Sequence, residues 1–151
     1  MPNINDLITT SNWSMLSWRE RYGDGIWLAL APSITLLDNI EFISTGGDIQ
    51  SIELSSYFHD QGLWLPVVKA DTIIAALSKL DLKTFSIPDE FVDKWMDAVH
   101  EAYVRVYELG NKNDYMLNSA IKQKDAVLMP PRELQEYTKS IKDMNPNSWW
   151  R

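Results

Sequence analysis

The chain has 151 residues, 45% of them hydrophobic and 23% charged, with a formal net charge of -7 and no cysteine. Such a length fits one domain with a real core, and its apolar content argues against wholesale disorder. The missing thiols exclude disulfides, thiolate metal sites, Fe–S clusters and cysteine nucleophiles. The acidity is uneven. Residues 1–75 carry three basic against nine acidic side chains, a net of -6, and residues 76–151 carry eleven against twelve. A negative surface repels phosphate backbones, so direct nucleic-acid binding is not expected. It suits a basic protein partner, because opposite charge speeds encounter. No apolar run reaches the roughly 20 residues of a membrane helix. Met1–Ser14 has no basic residue and no long apolar stretch, so a signal peptide is not expected and the location is read as cytoplasmic.

Residues 1–11 read as an irregular lead-in. Asn12–Tyr22 reads as a short helix capped by Asn12, with Trp13, Met15, Leu16, Trp18 and Tyr22 at helical spacing and Gly23 as its stop. Asp24-Gly25 signals a turn, and Ile26–Ala31 is an apolar run of strand length ended by Pro32. Residues 34–44 read as a further strand. Thr45-Gly46-Gly47-Asp48 reads as a hairpin turn leading into a returning strand over 49–54. Residues 63–68 are strand-like, and Pro66 places them on a sheet edge.

Helices dominate the remainder. Residues 70–80 form an amphipathic pattern with Ile73, Ile74, Leu77 and Leu80 as its apolar face. Residues 82–87 are ambiguous between loop and strand. Residues 89–109 give the clearest helical signal. Pro88 precedes it, Asp89 and Glu90 sit at its positive end, and Gly110 is the expected stop. Its apolar face holds Phe91, Val92, Trp95, Met96, Val99, Ala102, Tyr103 and Val106. A weaker helix is expected over 114–124, and a final helix over 132–144. The sum is one α+β domain: a small, mostly antiparallel sheet from the N-terminal half, packed by C-terminal helices that include the long one at about 89–109.

The chain contains no nucleophile elbow, no dinucleotide fingerprint, no phosphate-binding loop and no His-Glu-x-x-His zinc pattern. His59, beside Asp60, is a loop histidine with no serine-based triad near it in sequence. The leading expectation is therefore a non-catalytic acidic binding protein, of the immunity-protein or antitoxin kind, that masks a basic partner such as a nuclease toxin or a host defence factor. Asp38, Glu41, Asp48, Glu53 and Asp60 would supply the carboxylates. Trp149 and Trp150 would supply aromatic anchors if they do not dock on the core. No cofactor is implied.

Two other readings compete. Asp93, Asp97, His100 and Glu101 share one helix face at i, i+4, i+7 and i+8, a donor set for a divalent cation in a small metal-dependent hydrolase. Alternatively, the terminal tryptophan pair serves a structural assembly. Of the seven tryptophans, Trp27, Trp64 and Trp95 are expected in the core, and one of Trp13 and Trp18 is expected to be less buried.

Overall fold

In the computed structural model, which describes residues 2–20, 23–37, 64–112 and 136, a three-stranded antiparallel sheet is packed by helices. The α+β class expected from the sequence is the one found.

The chain opens with a helix, α1 (Ile4–Thr9), where an irregular segment was expected. The Asn3 side chain caps it by accepting from the Asp6 amide at 2.8 Å, and Leu7 is buried. The Ile4 amide also donates to Asp81 at 3.2 Å, which ties this short helix to the body of the domain.

The helix expected over 12–22 is instead strand β1 (Ser14–Arg19). Asn12 does not cap a helix. It sits in the left-handed region at φ 59°, turning the chain out of α1 so that Trp13 N–H bonds to the Leu7 carbonyl at 2.9 Å. From there burial alternates: Ser14, Leu16 and Trp18 are half-buried, while Met15, Ser17 and Arg19 are exposed. The helical spacing of the aromatics was accidental, and the period of two decides the element.

Where the Asp24-Gly25 turn was expected the chain bends at Gly23 and Asp24, and β2 (Ile26–Ala31) follows, the strand read from the sequence. β2 lies between β1 and β3 (Val67–Ala70), pairing antiparallel with both. From Trp27 onward every β2 residue is buried, which is why this run is apolar without alternation. The strand expected over 63–68 begins only at Val67: Trp64, Leu65 and Pro66 form a turn and bends before β3, and the Pro66 carbonyl accepts from Leu30 N–H at 2.9 Å. β3 is an edge among the described strands, as the proline implied.

Residues 34–37 are helical, not the start of a strand. Ser33 Oγ accepts from the Leu36 amide at 3.4 Å, and Leu36 and Leu37 are buried on consecutive positions, which an exposed-face strand would not allow. The rest of that expected strand, the hairpin turn at 45–48 and the returning strand at 49–54 lie outside the described residues. So do the expected helices over 114–124 and 132–144, apart from the exposed, helical Glu136.

α2 (Ile73–Phe85) starts at Thr72, whose hydroxyl accepts from Ala75 N–H at 3.1 Å. It extends through the ambiguous segment to Phe85. Its buried side is Ala76, Leu80, Lys83 and Thr84, whereas Ile73 and Ile74, expected on the apolar face, are exposed. A short 3-10 turn (Asp89–Phe91) then leads into α3 (Val92–Lys112). The helix passes through Gly110 without ending there; one glycine costs only about 1 kcal/mol against alanine. Trp95, Val99, Ala102 and Tyr103 form its buried stripe.

The core joins all layers. α2 packs on β2 and β3, and α3 packs on β2. Trp95 stacks on Trp13 and donates its indole N–H to the Trp64 carbonyl at 2.8 Å.

Candidate functional site

The five carboxylates expected to meet a partner, Asp38, Glu41, Asp48, Glu53 and Asp60, lie outside the described residues, as do Trp149 and Trp150. The competing set is described. Asp93, Asp97, His100 and Glu101 are all exposed along the outer side of α3, opposite its buried stripe. Among the described residues no three histidine, aspartate or glutamate side chains are grouped closely enough to hold a metal ion. Glu101 instead pairs with Arg105 at 3.2 Å across one helical turn. Both partners are about half exposed or more, so this is an ordinary solvated ion pair worth about 0.3–0.5 kcal/mol.

The geometry gives α3 a row of negative charge rather than a coordination cage. Asp89, Glu90 and Asp93 cluster in the first turns, where they also favour the positive end of the helix dipole. Asp97 and Glu101 continue the row, which exposed Lys94 and Arg105 border on one side.

A second feature was not foreseen. An open depression of 770 Å³ lies where the β1–β2 loop meets the start of α2. The register explains its floor. Arg19 faces Ile26, and Ser17 faces Leu28, so these residues share one sheet face. Asp71 and Ile73 at the start of α2 wall the same depression, so the helix comes down on this face and leaves the β1 residues uncovered. Asp24 completes the rim. No local sequence pattern marked the depression.

The opposite sheet face carries a tight polar–aromatic cluster. Trp18, Trp27 and Lys69 are direct neighbours in register. The Trp18 and Trp27 rings stack at 6.1 Å with an interplanar angle of 11°. The Lys69 ammonium lies 5.7 Å from the centroid of the Trp27 ring and 3.7 Å from Glu20, which also accepts the Trp27 indole N–H. Glu20 thus joins the loop to both neighbouring strands.

Two lysines of α2 serve β3. Pro66 directs its carbonyl to β2, so by strand alternation the Val67 and Lys69 carbonyls point away from the sheet. Lys83 Nζ donates to Val67 O and Lys79 Nζ to Lys69 O, each at 3.1 Å. Burial, with Lys79 nearby, lowers the Lys83 pKa from 10.5 to about 7. A shifted, buried lysine is a common mark of catalysis. Here its nitrogen has a backbone carbonyl to satisfy, and the geometry makes it a strand-edge clasp. The sequence signal was a lysine at i+7 from Ala76, on the helix side that also holds Leu80 and Thr84.

Against known proteins, no family model matches the chain, and neither a curated protein nor a solved structure shows significant similarity to it. No helix among the described residues is long and apolar enough to cross a membrane. The functional reading therefore rests on the chemistry of the surface.

Proposed function

We propose that the chain is a non-catalytic acidic binding protein that docks on a positively charged protein partner and neutralises it, as an immunity-type inhibitor does. The observation that carries this reading is the exposed carboxylate row of α3, set on a chain of net charge -7. Asp93 with Asp97, and Asp97 with Glu101, are like-charge pairs one turn apart. Each costs a few tenths of a kcal/mol in the free protein. A basic partner relieves that cost and is drawn in by the field of the whole molecule. The carboxylates of 38–60 add to the negative charge of the chain.

The experiment is affinity capture from a native extract at low and at high ionic strength, followed by mass spectrometry. The reading expects one basic protein, retained at low salt and lost or weakened at high salt. Consistent capture of an acidic partner whose retention does not respond to salt contradicts it.

A further inference from the structure

We propose that the outer face of α2, together with the depression at its start, is the seat for a basic amphipathic segment of that partner. The inference rests on the reading that the partner is basic, and it names where and how the partner binds. Six large apolar side chains are exposed among the described residues, and four of them, Ile73, Ile74, Leu82 and Phe85, belong to α2. Ile74 is the extreme case at 78% exposure. Counting 100° per residue, Ile74, Leu82 and Phe85 fall within about 80° of one another, so they form one stripe. Ile73 leaves the stripe and reaches into the depression.

The contrast with α3 decides which helix binds. Protein interfaces place apolar anchors at the centre and charge at the rim. The described exposed side chains of α3 are charged or polar, which suits long-range attraction and not close packing. The α2 face has both ingredients. Its apolar stripe is bordered by Asp81, whose carboxylate also accepts the Ile4 amide, and, at the start of the helix, by Asp71, with Asp24 across the depression. The nearby cation Lys79 is turned to the Lys69 carbonyl, and among the described residues Arg19 is the one basic side chain lining the depression. Charge and apolarity together select a segment with aliphatic side chains for the stripe and lysine or arginine for Asp24 and Asp71.

The test uses the full chain and two synthetic probes, a helical amphipathic Leu/Lys peptide and a plain oligolysine. Binding is read by fluorescence anisotropy, and the contact face by NMR shifts of the Ile and Leu methyls. The proposal expects the amphipathic peptide to bind more tightly than oligolysine and to shift Ile73, Ile74 and Leu82. Ile74→Ser and Phe85→Ser should each weaken it about tenfold. Because these side chains are exposed, both variants should keep the wild-type circular dichroism spectrum and Tm. Asp24→Lys with Asp71→Lys gives a second, independent loss.

Unchanged affinity in those variants overturns the proposal. If both peptides bind equally and only Asp93→Lys with Asp97→Lys weakens them, the α2 seat fails while the acidic-binder reading stands. If neither peptide binds, both fail. A doubled mass in light scattering that Ile74→Ser abolishes assigns the face to a second copy and overturns the proposal. Intramolecular NOEs from Ile74 and Phe85 to residues of 38–63 or 113–151 overturn it as well, by assigning the face to this chain's own fold.

Discussion

The indole of Trp13 stacks on that of Trp95, with ring centroids 5.6 Å apart and planes 28° from parallel. One ring follows α1 and the other belongs to α3, so a contact spanning more than half the chain locks the first segment to the longest helix. Trp95 is 1% exposed and also holds the Trp64 carbonyl.

Trp95 is therefore the residue whose loss should hurt stability most. Trp95→Ala removes a buried ring, its stacking and its hydrogen bond, and is expected to cost about 3–5 kcal/mol. Trp95→Phe keeps much of the volume and should cost less, though the bond to the Trp64 carbonyl is lost. Urea unfolding of the two variants measures this. Equal, small losses for both would show that the stack does not hold the domain together.

Lys83 makes a prediction about pH. Its pKa is lowered in the fold to about 7, from an unfolded value near 10.5. Between those values the unfolded chain binds the extra proton, so stability rises with pH across that window. Below about pH 7 both states carry the charge and this contribution is flat. At still higher pH, burial of the Tyr103 hydroxyl raises its pKa, so the unfolded chain ionises first and stability falls again. Lys83→Met removes the lysine contribution alone. The stability difference between wild type and Lys83→Met should change steadily between about pH 7 and 10. A difference that stays constant with pH would contradict the account.

Gly25 adopts φ +120°, and a Cβ placed there would lie 3.2 Å from the Ala70 carbonyl oxygen. Both backbone and space therefore demand glycine. Gly25→Ala should destabilise by more than about 1 kcal/mol and disturb the loop that rims the depression. A variant as stable as wild type in thermal melts would show that the β1–β2 loop relaxes freely.

Much of the fold could be read from the chain. β2 announced itself as an apolar run, Pro66 marked an edge, and α3 followed from its stripe of Trp95, Val99, Ala102 and Tyr103. The errors came from two sources. Aromatics at 13, 18 and 22 imitated a helix where a half-buried strand alternates, because six strand residues offer too few positions to separate the two periods. Ile73 and Ile74 were assigned to a core face by apolarity alone, whereas the buried face of α2 is set by Ala76 and Leu80 and includes a lysine. The depression was not legible, because it depends on which sheet face α2 covers. That is a tertiary fact, carried by no local pattern around Arg19, Asp24 or Asp71.

The account's central claim is that negative charge on this surface draws in a positively charged partner. The most direct measurement is the association rate of the captured partner with wild type and with Asp93→Lys/Asp97→Lys, across a range of ionic strength. The account predicts slower association for the variant at low salt, by about tenfold, with the two rates converging as salt screens the field. Identical rates at every salt concentration would contradict it.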